Sequence, residues 1–143
     1  MTIPDTASPP AGAQPDLVAI RQESDIVQVR QRVRARASEL RFSLVDQTKL
    51  VTAASELARN ALVYGGGGRA RLEVLTSNGR NGLRVTFEDD GPGMADVNEA
   101  LRDGFSTGGG LGLGLGGARR LVNEFEIASE VGRGTRIAIT RWV

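Results

Sequence analysis

Between residues 103 and 121 the chain reads DGFSTGGGLGLGLGGARRL, in which eight of nineteen residues are glycine. Glycine loses more conformational freedom on folding than any other residue. A tract this dense therefore belongs either to a linker or to backbone that must approach a ligand closely. Leu111, Leu113 and Leu115 alternate with the glycines and a helix-like ARRL follows, an arrangement that flexible linkers do not show. Gly112, Gly114 and Gly117 satisfy G-x-G-x-x-G, a weak pattern on its own. A dinucleotide fold would need a strand directly before it and an acidic parallel strand about twenty residues later. DGFSTGG precedes it, and too little chain follows. A Walker-type loop needs Gly-Lys, and the sole lysine, Lys49, lies elsewhere. What remains is a run of backbone N–H groups leading into a helix N-terminus, where the donors and the helix dipole attract phosphate.

The rest of the chain narrows the chemistry. With no histidine and no cysteine among 143 residues, the commonest general base, thiolate nucleophiles, disulfides and Cys/His zinc sites are all excluded. A metal here would be a hard cation held by oxygen. The formal net charge of +1 gives no bulk attraction to nucleic acid or membrane. No apolar run approaches the roughly 20 residues of a membrane span. The N-terminus lacks the pattern of a signal peptide, so the expectation is a soluble cytoplasmic protein. Residues 1–16, rich in proline and alanine, read as a disordered tail, and 17–143 as one domain.

Apolar spacing supplies the elements. LVAIRQ at 17–22 reads as a strand. Ile26, Val29, Val33, Ala37 and Leu40 recur at steps of three and four, marking a helix capped by Ser24 or Asp25. Its arginines at 30, 32, 34 and 36 read as a solvated face. A second helix, capped by Asp46, carries Leu50, Ala54, Leu57 and Ala61 and stops at YGGGG. RARLEVLT and GLRVTFED alternate as strands around SNGRNG, a hairpin signal, with Leu83, Val85 and Phe87 on one face. A short helical piece runs from Asp96 to about Arg102, and another helix runs through Leu121 to about Phe125. Strands at 126–131 and 135–142 flank the turn GRG. The order predicts an α/β two-layer sandwich: a mixed, mostly antiparallel sheet covered on one face by helices.

Four stations can carry chemistry. In SELARNA, Glu56 and Asn60 stand one helical turn apart at the margin of the apolar face. A carboxylate there can orient or deprotonate a hydroxyl, and an amide oxygen can ligate Mg²⁺; taken alone, the pair reads first as a solvated helix surface. In EDDGPGM a strand delivers Asp89 into a turn shaped by Gly91, Pro92 and Gly93, suited either to a flat ring with an exocyclic amine or to an ordinary strand-to-helix turn. The glycine tract is the third station. In GRGTRIAI, Thr135 can present a hydroxyl from the start of the last strand.

Taken in order, these four motifs resemble the GHKL nucleotide-binding superfamily from about residue 17 to the end. Within it the chain looks most like the serine/threonine kinases of the anti-sigma-factor group, in particular the RsbT-type switch kinases, through AASELARNALVYGGGG, EDDGPGMAD, the glycine tract, GRGT and the closing TRWV. The resemblance implies ATP and Mg²⁺, with Asn60 as metal ligand and Glu56 as the residue that orients or deprotonates the acceptor hydroxyl. It implies that Asp89 binds the adenine amine, that Gly91 and Gly93 shape the pocket, and that Thr135 supports Asp89. Ser106 to Gly117 would close over the phosphates, with Ser106, Thr107, Gly108, Gly110, Leu111, Gly112, Leu113 and Gly114 as the binding residues. The implied substrate is a STAS-domain antagonist, and a further partner is a PP2C-type phosphatase. A nucleotide-gated binding module and an anti-sigma factor that grips its partner without phosphoryl transfer are the competing expectations.

Overall fold

The computed structural model describes residues 15–101 and 114–143. Nearly all of the proline-rich tail, together with Ser106, Thr107, Gly108, Gly110, Leu111, Gly112 and Leu113, lies outside them. The elements are β1 (Asp16–Ile20), α1 (Glu23–Glu39), α2 (Leu44–Val63), β2 (Gly68–Ser77), β3 (Arg80–Asp89), α3 (Val97–Ala100), α4 (Leu115–Arg120), β4 (Glu124–Glu130) and β5 (Gly134–Trp142). The strands form one five-stranded sheet in the order β1-β2-β3-β5-β4. Every described pairing is antiparallel.

The ladders align apolar residues in rows across the sheet. Val18, Ala70, Phe87, Ile137 and Ile127 stand abreast, and Leu72, Val85, Ile139 and Phe125 form the row beside them. Because side chains alternate along a strand, both rows project to one face. That face buries Ile26, Val29, Val33 and Ala37 of α1 with Leu50, Ala54, Leu57 and Ala61 of α2. Their burial is the main favourable term for the fold. Asn78 and Gly79, at φ 52° and 76°, turn β2 into β3 with the twist that two-residue hairpins require.

The helix ends depart from the sequence expectation. α1 is capped at Gln22, and Asp25 reaches back to the backbone N–H groups of Arg21 and Gln22 at 2.8 and 3.1 Å. α2 is capped by Ser43, whose hydroxyl accepts from the Asp46 N–H at 3.1 Å. Asp46 is thereby free to take Arg141 of β5 at 2.6 Å, and this guanidinium holds its carboxyl below the usual aspartate range. α1 leaves through Arg41 in the left-handed region, with Phe42 N–H on Ala37 O and Arg41 N–H on Ser38 O. This double bond pattern closes a helix even without glycine at the left-handed position. α4 stops at Arg120 and β4 begins at Glu124, earlier than the expected helix end near Phe125, because Phe125 is drawn into the sheet opposite Ile139.

Among the described residues no helix is long and apolar enough to cross a membrane.

Candidate functional site

The alternation that faces Leu83, Val85 and Phe87 toward the helices also carries Asp89 to that face, one step beyond the apolar rows. In register with it stand Ile20, Gly68, Thr135 and Ser129. The core thus ends in a polar row at one edge of the layer. α2 ends above this edge. Gly66 and Gly67 adopt φ 74° and 109°, and the Gly67 N–H closes on Ala61 O at 2.8 Å. The return of the chain lays Gly65 against Asp89. A Cβ on Gly65 would come within 2.6 Å of the Asp89 Cβ, and one on Gly91 within 2.6 Å of the Gly65 Cα. Glycine is required at both positions for two backbones to meet over one carboxylate.

An open cleft lies between α2 and the sheet. Leu57, Ala61, Phe87, Met94, Leu115 and Ile137 make it apolar, and Asn60, Asp89 and Thr135 supply its polar points. Leu57, Asn60, Ala61 and Tyr64 form one stripe at helical spacing on α2. Burial pushes the Asp89 carboxyl above the usual aspartate value, and hydrogen bonds from the Gly91 and Thr135 N–H groups pull against it. The Gly91 N–H donates to Asp89 Oδ1 at 3.0 Å. A half-buried carboxylate at the end of an apolar slot is suited to accept from an amine on a flat ring.

Glu56 does not line the cavity. It stands one turn before Asn60, and a Cβ on Gly114 would lie 2.6 Å from its Oε2. Gly114 is at φ 66° and opens α4, so the end of the glycine tract is brought against the Glu56 carboxylate although 58 positions separate them in sequence.

Of the residues expected from sequence, Asn60, Asp89, Gly93 and Thr135 line one cavity. Gly91 shapes its rim through Gly65, and Glu56 and Gly114 meet beside it. The expected residues from Ser106 to Leu113 fall outside the described segments. Sequence reasoning missed Gly65 and Tyr64, read only as a helix stop, and the apolar wall Met94. It also missed Ser129, whose hydroxyl accepts from the Met94 N–H at 2.8 Å and meets Thr135 Oγ1 at 2.8 Å. Its position in the polar row, two residues beyond Ile127, was the available signal.

Residues 45–142 match the family of histidine kinase-, DNA gyrase B- and HSP90-like ATPases. The chain is 47% identical over 126 residues to the serine/threonine-protein kinase RsbT of Bacillus subtilis, covering 88% of this chain and 95% of that protein. It is 26% identical over 118 residues to an anti-sigma F factor of a Geobacillus strain, covering 78% of this chain and 80% of the relative. A crystal structure of the RsbU and RsbW domains of a Mycobacterium tuberculosis protein superposes with a TM-score of 0.60 at 20% identity, over 90% of this chain and 32% of the longer one. This likeness concerns the fold. With its antiparallel sheet, covering helices and edge cavity, the chain belongs to the histidine kinase-, DNA gyrase B- and HSP90-like ATPase family, and within it to the family of the RsbT serine/threonine-protein kinases.

Proposed function

We propose that this chain is a serine/threonine protein kinase that transfers the γ-phosphoryl group of Mg-ATP to a STAS-domain antagonist in a partner-switching pathway, acting in the cytoplasm through residues 17–143. The observation that carries this reading is the meeting of Glu56 with Gly114, which sets a carboxylate at the end of the glycine tract, one turn from Asn60 and beside the cavity that ends in Asp89. The 47% identity to RsbT supports the same assignment.

The adenine ring occupies the apolar slot with its amine toward Asp89, between Gly91, Gly93 and Thr135. The phosphates then extend past Asn60 toward Gly114. Asn60 fits a divalent cation as one neutral oxygen donor at the cavity wall and would hold magnesium there through its amide oxygen. The ion would supply neutralisation of phosphate charge. Glu56 takes the proton of the partner's hydroxyl as its oxygen bonds to the γ-phosphorus and the bond to the ADP oxygen breaks. Phosphoryl transfer depends mostly on positioning and charge neutralisation, so a site without histidine, cysteine or a Walker lysine suffices. Once the phosphorylated antagonist separates, the freed kinase engages its next partner, a PP2C-type phosphatase.

The test is phosphotransfer from labelled ATP to the STAS-domain partner with Glu56→Gln alongside. Acid-stable label on a serine or threonine is expected with the wild type. The variant should lose about 100-fold or more in rate, in line with a lost general base, while holding ATP. Transfer at wild-type rate in Glu56→Gln removes the role given to Glu56. ATP and partner binding without any transfer makes the chain a nucleotide-gated binding module.

A further inference from the structure

Ser129 lies in β4, behind Thr135 and outside the cavity wall. Its hydroxyl has three neighbours: the Met94 N–H at 2.8 Å, the Gly134 carbonyl oxygen at 3.2 Å and Thr135 Oγ1 at 2.8 Å. A serine hydroxyl has one proton and two lone pairs. The Met94 N–H must donate, so it occupies one lone pair. The Gly134 carbonyl can only accept, so it takes the serine proton. The contact with Thr135 is then satisfied in one way: the threonine hydroxyl donates its proton to the second lone pair of Ser129. This is the assignment that uses all three contacts, as a part-buried polar cluster is expected to do.

The consequence falls on the cavity. With its proton committed behind it, the Thr135 hydroxyl is left with acceptor capacity alone. Its cross-strand neighbour Asp89 already receives the Gly91 and Thr135 backbone N–H groups and is likewise an acceptor. The sheet side of the cavity therefore presents two adjacent acceptors. At position 6 an amino purine offers two N–H donors, whereas an oxo purine turns the lone pairs of its oxygen toward the same acceptors. We propose that Ser129 is a positioning residue for nucleotide choice: it holds the Thr135 hydroxyl as an acceptor and so selects ATP against GTP. The inference rests on the placement of the base at Asp89 given above.

Ser129 also anchors the loop that carries Met94, so a purely structural role would weaken both nucleotides alike. The ratio of their dissociation constants separates the two roles. In Ser129→Ala the Thr135 proton is released and can turn to a 6-oxo group. The GTP-to-ATP ratio of Kd values, measured by titration calorimetry with magnesium, should fall about fivefold, the worth of one ordinary hydrogen bond. Ser129→Thr retains the hydroxyl and should keep the wild-type ratio. Thr135→Val removes the acceptor itself and should lower the ratio without touching Ser129, which keeps the test open should Ser129→Ala not fold. An unchanged ratio in Ser129→Ala, with both constants raised in parallel, overturns the inference, as does an unchanged ratio in Thr135→Val. Asp89→Asn is the control for the underlying reading. If ATP binds it as it binds the wild type, the base does not sit at Asp89 and that reading fails first. If ATP binding is lost in Asp89→Asn while the ratio holds in Ser129→Ala, only the role of Ser129 fails.

Discussion

Two adjacent glycines at the end of α2 should respond to alanine in opposite ways. Gly65 carries no positive φ, so an alanine there meets no backbone strain. Its Cβ, however, would lie 2.6 Å from the Asp89 Cβ and 2.7 Å from the Ala61 carbonyl oxygen. The Ala61 backbone is fixed within the helix, so the aspartate must give way. Moving it breaks the bond that Oδ1 receives from the Gly91 N–H at 3.0 Å and withdraws the carboxylate from the place proposed for the base. A hydrogen bond to a charged group is worth about 1.5–3 kcal/mol, which at about 1.4 kcal/mol per decade corresponds to a loss of roughly 10- to 150-fold in ATP affinity. Gly66 is the reverse case. A Cβ there meets nothing within 4 Å, but its φ is 74°. Gly66→Ala should therefore cost about 1–2 kcal/mol of folding stability through the left-handed backbone and leave ATP affinity intact. Calorimetric ATP titration and urea denaturation of the two variants read both quantities. ATP binding by Gly65→Ala equal to that of the wild type, in a folded protein, would refute the contact between the helix end and Asp89 as a determinant of the proposed site.

The raised Asp89 carboxyl also has a signature in pH. Burial disfavours its ionised form, so its favourable contribution to stability is complete below the unfolded value near 3.8 and is lost as pH rises through the higher folded value. In the proposed site, ATP recognition needs the ionised form. On acidification, affinity should therefore begin to fall at a higher pH than an ordinary aspartate would produce. Asp89→Asn, weaker throughout, supplies the baseline without that step, and parallel pH profiles of the two proteins would count against the assignment. In the core, Leu50 is wholly buried on α2 and does not line the cavity. Leu50→Ala should cost about 3 kcal/mol in urea denaturation, as large-to-small core changes do, while the folded variant binds ATP as the wild type does.

Much of the site could be read from local periodicity. The step of two through Leu83, Val85 and Phe87 already assigns Asp89 to the core face, and the step of three and four through Leu57 and Ala61 sets Glu56 and Asn60 at the margin of α2. The hairpin at Asn78–Gly79 and the stop at YGGGG follow from the positive φ that those turns require. The helix caps were less legible. Asp25 turns back to the N–H groups of Arg21 and Gln22, Ser43 rather than Asp46 accepts at the start of α2, and Asp46 is claimed by Arg141, 95 positions away. Residue spacing along α2 carries no trace of that partner.

Sequence by itself determined which face each side chain takes, because helix and strand periods are local properties of the backbone. Tertiary structure alone decided which faces meet. Gly65 on Asp89, Gly114 on Glu56, and Ser129 between Met94 and Thr135 all depend on ladder register and on where α2 docks over the sheet. Those are set by close packing of the whole core, in which every apolar row must fill the space left by the others.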